Sequence, residues 1–348
     1  FLAETISEHK LEFVCIQETK KRAFADPWLA GVSGRFTFIW LWQPSVGASG
    51  GLLMGVREDL FEVDTCVASK YLTRMTLMDK RIGFKWNLAN VYGAAHSRDK
   101  EEFLIDFVHM LGCDDHPFVV GGDFDIIRRS KDRNKAKKLP KWSFFFNSII
   151  EHWGLKELEL SGRNFTWSNN QIDPLFVKLD RILVSPAWEL KFPLVTVRTL
   201  VRGVSDHAAL LMHNGVKTVT TNKPFRFELC WFTRDDLAAV VNKIWHSNVN
   251  GKDNLAIWMQ KMRNLRRCLK GWNLNVEGAY RKKRNTLSSQ LDDLDRRCEL
   301  TGLSVADYEL RKDLQCSLNK ILREEEIKWY QRSKERDLRE GNNITRYL

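Results

Sequence analysis

Apolar residues fall in short runs along the first two-thirds of the chain. Residues 12–16 (EFVCI), 35–41 (RFTFIWL), 61–67, 82–92 (IGFKWNLANVY), 117–121 (PFVVG), 178–184 (KLDRILV) and 194–200 are rich in β-branched and aromatic side chains. Gly, Asp, Asn and Pro bound them, which predicts strands. Two stretches change period. Residues 98–111 place Phe103, Phe107 and Met110 on one helical face, with Leu104 and Leu111 beside them. Residues 141–152 (KWSFFFNSIIEH) predict a second helix. Many strands with few helices between them predict an α/β fold of two packed mixed β-sheets with helices outside.

The pattern changes after residue 222. Residues 223–232 (KPFRFELCWF) read as a connector, and 234–300 and 304–340 are rich in Leu, Arg, Lys, Glu and Gln with almost no proline. Leu287, Leu291, Leu294 and Cys298 form one helical stripe, and Leu314, Leu318, Ile321 and Leu322 form a second. Thr301-Gly302-Leu303-Ser304 separates them, and Ser304 with Asp307 has the form of a helix N-cap. The expected organisation is an α/β domain over 1–215, a linker over 216–233 and an all-helical hairpin arm over 234–348. Mixed charges over 281–340 predict a solvated, salt-bridged helix surface.

Charge narrows the choice of partner. The formal net charge of +11 and pI of about 9.3 favour a polyanion, either nucleic acid or an anionic membrane surface. No apolar run approaches the ~18 residues of a membrane span. Seven scattered cysteines without a C-x-x-C pair argue against a zinc ribbon or a disulfide framework and for a reduced compartment, nuclear or cytoplasmic. The chain starts at Phe1 rather than Met, as a fragment would.

Five segments carry candidate chemistry. Gln17-Glu18-Thr19 follows the strand FVCI, so Glu18 sits at a sheet rim. Asn90-Val91-Tyr92-Gly93 ends another strand, where the Tyr92 hydroxyl can donate to a phosphate oxygen. Gly121-Gly122-Asp123-Phe124-Asp125 offers two carboxylates two residues apart, which can bind a cation or activate water. Asp180 and Arg181 are charges inside an apolar strand, so they either pair with neighbours or, for Asp180, hold an imidazole. Ser205-Asp206-His207 supplies a carboxylate and a proton-transfer or phosphate-binding group. Taken singly, each also reads as an ordinary surface glutamate, core tyrosine or acidic turn.

Taken in order, QET, NVYG, GGD, LDRILVS and SDH resemble the signature of the endonuclease/exonuclease/phosphatase superfamily. Residues 121–129 (GGDFDIIRR), 164–169 (NFTWSN), 179–188 (LDRILVSPAW) and 224–228 (PFRFE) further resemble plant LINE-type (non-LTR) retrotransposon polyproteins. That resemblance covers nearly the whole chain. It implies a four-layer DNase I-like sandwich, a Mg²⁺ (or Mn²⁺) cofactor and DNA as substrate. It also implies a reverse transcriptase domain after the helical arm, which this chain does not include. Carried over by position, Glu18 and Asp206 would serve the metal, and Tyr92 would contact the scissile phosphate. Asp123 would orient or deprotonate water, His207 would stabilise the charged phosphorane-like state, and Asp180 would orient His207.

Two features depart from that family pattern. Position 125 is Asp where the motif has Asn, which replaces a donor with a charge next to a phosphodiester. Residues 1–10 (FLAETISEHK) read as the helix that follows the family's first strand, so that strand is expected to be missing and to leave unpaired backbone and a core gap. Both predict weakened catalysis, as in a decayed copy.

Residues 128–141 hold eight basic residues and one acid, and make Arg128, Arg129, Lys131, Arg133, Lys135, Lys137 and Lys138 candidates for DNA backbone contact. Residues 261–284 hold nine basic residues and one acid, with Trp272 and Tyr280 among them. The alternatives are a non-catalytic nucleic-acid-binding chain, and another phosphoesterase of the same fold, such as an inositol-phosphate or sphingolipid phosphodiesterase.

Overall fold

Neighbouring residues of the central strands go to different cores. Leu88, Val119 and Ile182 join one hydrophobic layer, whereas Ala89, Val120 and Leu183 join another. Period-2 side-chain alternation produces this split, because each strand is covered on both faces. The computed structural model describes residues 2–46, 50–171, 173–202, 205–214, 231–232, 235–249, 253–301 and 304–339.

The first elements are α1 (Leu2–His9), β1 (Phe13–Ile16), α2 (Asp26–Ser33), β2 (Phe38–Gln43), β3 (Leu52–Arg57), β4 (Phe61–Ala68), β5 (Leu72–Asp79) and β6 (Phe84–Tyr92). Next come α3 (Lys100–Leu111), β7 (Phe118–Asp123), α4 (Lys141–His152), β8 (Lys156–Glu157), β9 (Leu160–Ser161), β10 (Trp167–Ser168) and β11 (Phe176–Val177). The sandwich ends with β12 (Asp180–Val184), α5 (Pro186–Lys191), β13 (Thr196–Thr199) and β14 (Leu210–His213). The arm consists of α6 (Asp235–Trp245), α7 (Asn254–Thr301) and α8 (Val305–Arg339).

One mixed sheet runs β4-β5-β6-β7-β12-β8, with β6 and β7 parallel and its other pairs antiparallel. Helices α3 and α4 cover one face through Phe103, Phe107, Trp142, Phe146 and Ile150. The opposite face packs on two three-stranded sheets, β1-β3-β2 and β14-β13-β9, through Met54, Val56, Trp86 and Val197. Helices α1 and α2 close the outer side of β1-β3-β2 through Ile6, Val32 and Leu29. The result is the expected four-layer sandwich. The two-residue strands β8 to β11 and helices α2 and α5 were not apparent from the sequence, and neither were strands β3 and β5. Both strands are buried almost throughout, so they lack the alternation that marks a half-exposed strand.

β1 and β14 are each the edge of their sheet, and both line one cavity of about 2230 Å³.

Helices α7 and α8 form the expected antiparallel hairpin: Leu291 packs with Leu318 and Leu322, and Asp295 meets Arg311. Ser304 caps α8, its Oγ accepting from the Asp307 N–H at 3.1 Å and donating to Asp307 Oδ2 at 2.7 Å. The arm is not solvated throughout, however. Asp295, 1% exposed, is held by Arg163, Arg202 and Arg311, two of them from the sandwich. Arg284 pairs with Glu4 and Glu8 of α1. Most of the expected linker, residues 216–230 and 233, lies outside the described residues. No described helix is long and apolar enough to cross a membrane.

Candidate active site

Three candidate residues come together through strand register. Tyr92 at the end of β6 is opposite Asp123 at the end of β7, and Asp123 is opposite Asp180 at the start of β12. Two glycines allow the approach. Gly122 has φ 144°, and a Cβ there would lie 2.0 Å from the Val91 carbonyl oxygen. A Cβ on Gly93 would lie 2.2 Å from the Phe124 carbonyl oxygen. Neither position accommodates a side chain without moving backbone.

His207 completes the cluster. Its Nδ1 is 2.9 Å from Asp180 Oδ2, and its Nε2 is 3.9 Å from Asp123 Oδ2. Thr166, fully buried, fixes this arrangement from below, its Oγ1 accepting from the N–H groups of Leu179 and Asp180, each at 3.0 Å. Trp167 forms a bridge with His207, and its indole N–H donates to Asp206 Oδ2 at 2.9 Å. The segment NFTWSN thus serves as the support of the SDH loop. Thr166 and Trp167 stand in the sequence as an unremarkable Thr-Trp pair, and nothing local marks them as supports.

The electrostatics follow from burial and crowding. Burial and the neighbouring Asp180 push the Asp123 carboxyl up to about 7. Burial raises Asp125 to about 6, against the opposing pull of Lys100. For His207, burial opposes the charge, but the hydrogen bond and the charge of Asp180, with Asp123 and Asp206, lift it to about 9. Burial and Glu18 raise Tyr92 to about 12, so its hydroxyl stays protonated at neutral pH and donates to Glu18 Oε1 at 3.4 Å.

Asp125 has φ 50°, a conformation that Asp and Asn tolerate better than most residues, and its N–H donates to Asp123 Oδ1 at 2.9 Å. Lys100 is the cation beside it. Its Nζ donates to the carbonyls of Ala94 and Asp125 at 2.7 and 2.6 Å and lies 4.0 Å from Asp125 Oδ2. The sequence offered no signal for Lys100, which reads there as the start of a surface helix. Asn90 is also structural, its amide donating to the carbonyls of Ile16 and Leu53 and so tying the two sandwich sheets together.

The donor atoms of Asp123, Asp180 and His207 lie within 4.8 Å of one another. Carboxylate oxygens suit a hard divalent cation, and a cation would relieve the repulsion that raises Asp123 and Asp125. The two carboxylates therefore suit a metal at this place, whereas His207, cationic while hydrogen-bonded to Asp180, has no free nitrogen lone pair to offer it. Glu18 and Asp206, the expected metal residues, stand outside that group among the described residues. Glu18 has φ 54° and a half-exposed carboxylate, and Asp206 is held by Trp167.

The basic loop divides. Arg128 is buried and paired with Glu157, and its Nε donates to Asn147 at 2.8 Å, so it belongs to the interior rather than to a DNA-facing surface. Arg181 is fully buried with Glu157 and Asp132. Arg133 bridges to Val177, and Lys135 pairs with Asp173. Arg129, Lys131, Lys137 and Lys138 are exposed. In the second basic stretch, Trp272 packs edge-on to Trp231 and donates to Asp236, so its ring is committed to the α6–α7 contact.

No curated protein matches this chain. Several solved structures are similar. The endonuclease domain of TRAS1, a telomere-specific non-LTR retrotransposon, is 15% identical, with 62% of this chain and 92% of that one covered and a TM-score of 0.48. The AP endonuclease LMAP from Leishmania major is 16% identical, with 61% and 80% covered and a TM-score of 0.48. An AP endonuclease from Archaeoglobus fulgidus is 16% identical, with 62% and 93% covered and a TM-score of 0.47. The model of the Endonuclease/Exonuclease/phosphatase family matches residues 1–207, and the chain belongs to that family.

Proposed function

We propose that this chain is the endonuclease region of a LINE-type retrotransposon protein, and that its site hydrolyses DNA phosphodiesters with Mg²⁺. The observation that supports it best is the run Asp180–His207–Asp123, with an imidazole held at 2.9 Å on one side and 3.9 Å from a carboxylate on the other. Bound Mg²⁺ would offset charge on the phosphate oxygens.

The residues divide the remaining work. His207, cationic at neutral pH, stabilises charge that grows on the phosphoryl oxygens. Asp180 holds the ring in place. Asp123 orients the attacking water and accepts its proton. Tyr92 donates its hydroxyl to a phosphate oxygen. Water oxygen bonds to phosphorus as the bond to the 3′ oxygen breaks, leaving a 5′-phosphate and a 3′-hydroxyl. Arg129, Lys131, Lys137 and Lys138 supply the charge that holds the backbone.

The retrotransposon assignment rests on the sequence resemblance of residues 121–129, 164–169, 179–188 and 224–228. Asp125 favours a second reading, in which the chain binds DNA without cutting it. Nicking of supercoiled plasmid with Mg²⁺ separates the two, using the chain itself, Asp125→Asn and Asp123→Ala. Nicking by the chain that is lost in Asp123→Ala supports the enzyme. No nicking by any of them, with DNA binding that weakens as salt rises, supports the second reading.

A further inference from the structure

The buried ions that join the arm to the sandwich meet it beside the candidate active site. Arg163 and Arg202 are each 3% exposed, and both reach one oxygen of Asp295 on α7, Oδ2, at 2.9 and 3.2 Å. Arg163 Nε also donates to Asp292 Oδ1 at 2.8 Å, and the Asn164 N–H donates to Glu299 Oε2 at 3.3 Å. Val201 packs against the hairpin cluster of Leu291, Leu318 and Leu322. Helix α7 therefore grips two short segments, 163–164 and 201–202.

Those segments are the roots of the backbone that carries His207. Arg163 precedes Thr166 and Trp167 by three and four residues, and Arg202 precedes His207 by five. The two stretches then pair with each other. The Ala208 N–H donates to the Thr166 carbonyl at 2.7 Å, and the Ser168 N–H donates to the Asp206 carbonyl at 3.1 Å. Trp167 and His207 bridge within this ladder. Thr166 also accepts from the Asp180 N–H, which sets the ladder in register with the carboxylate that holds the imidazole.

So short a ladder opens easily on its own. Buried guanidinium–carboxylate pairs oppose that opening, because each opening would leave a charge without its partner. Their planar geometry fixes direction as well as distance. Arg311 of α8 takes the other oxygen of Asp295, Oδ1, at 2.8 Å, so the carboxylate is itself fixed within the hairpin.

We propose that Asp295 is a positioning residue of the candidate active site: it holds Arg163 and Arg202, and through them places His207 against Asp180 and Asp123. The arm is then part of the scaffold of the site, and displacing the arm misplaces the imidazole. The inference rests on the reading of His207 as a group that acts at this site.

The test uses the full chain and four variants. Arg202→Met releases one root while Arg163 keeps the arm on Asp295, and Arg202→Lys retains a cation there. Asp295→Asn weakens both roots. Arg311→Met loosens the hairpin and leaves both roots on Asp295. Amide exchange followed by NMR should quicken at least about tenfold at Ser168 and Ala208 in Arg202→Met and Asp295→Asn. It should return towards the parent rate in Arg202→Lys and match the parent in Arg311→Met, with β6 amides unchanged throughout. The kcat for plasmid nicking with Mg²⁺ should fall by about 10²-fold in Arg202→Met at an unaltered KM for DNA, the scale of a small misplacement. The proposal is overturned if Ser168 and Ala208 exchange as in the parent, or if β6 amides quicken to the same extent. It is also overturned if Arg311→Met matches Arg202→Met, or if kcat survives the loosened ladder. A parent chain that cuts no DNA overturns the enzymatic reading instead, and exchange at Ser168 and Ala208 then decides alone whether α7 sets the place of His207.

Discussion

Asp180 Oδ2 and His207 Nδ1 lie 2.9 Å apart, joining a strand start to a loop 27 residues further along the chain. The contact does two things. It fixes the imidazole with Nε2 facing Asp123, and it keeps the ring cationic to about pH 9.

Asp180→Asn should leave the ring in place but remove the charge that raises it. The His207 pKa should fall from about 9 towards 6.5, readable by NMR titration. If His207⁺ stabilises the phosphoryl charge, nicking should drop by about 10²–10³. Its alkaline limit should also move down by the same interval, since the cation is lost once pH exceeds the lowered pKa. An unchanged limit would mean that His207 does not carry this role.

Asp125 and Lys100 should be energetically coupled. Lys100→Met should raise Asp125 further, by removing the opposing cation, and should reduce nicking. In an Asp125→Asn background the same change should cost less, with a coupling of about 1 kcal/mol in a double-mutant cycle. Additive effects would show that Lys100 only props up the Ala94 carbonyl.

Glu157 gives an acid-sensitive element. Burial opposes its charge, but Arg181, Lys178 and Arg128 together hold its carboxyl down at about 2. A depressed carboxyl stabilises the fold above its ordinary value near 4.5, and that contribution fades as pH falls through about 2. Glu157→Gln should cost about 3–5 kcal/mol near pH 7, because three cations lose a buried partner. Urea titrations should show the gap between the two proteins narrowing between pH 4.5 and pH 2.

Asp295 should govern whether the arm stays on the sandwich. Its three arginine partners hold its carboxyl below the usual range despite burial. Asp295→Asn leaves Arg202 and Arg311 without their carboxylate, whereas Arg163 keeps Asp292, and should destabilise the contact by about 3–5 kcal/mol. Limited proteolysis should then cut between sandwich and arm sooner, with the exchange of β4–β6 amides unchanged.

The exposed lysines should set the salt dependence of DNA binding. Replacing Lys131, Lys137 and Lys138 by Gln should reduce the slope of log K against log salt by about 2.7, at ~0.9 per contact. Arg128→Gln should instead lower stability, with Glu157 left short of a partner.

The sequence alone settled what depends on local pattern. Short β-branched and aromatic runs placed many of the strands, the 3.6-residue period placed α3, α4 and the hairpin, and the order of five short segments pointed to Glu18, Tyr92, Asp123, Asp125, Asp180, Asp206 and His207 as candidates, of which the fold clusters Asp123, Asp180 and His207. Only the tertiary structure decided which charges meet. Arg163 and Asp295 are 132 residues apart, Arg128 and Glu157 are 29 apart, and no periodicity records such pairings. The same limit hid Lys100, Thr166 and Trp167, whose roles come from the backbone groups and side chains that the fold brings beside them. Local pattern reports which face of an element is apolar. The partner of a buried charge is set by register and packing between elements distant in the chain.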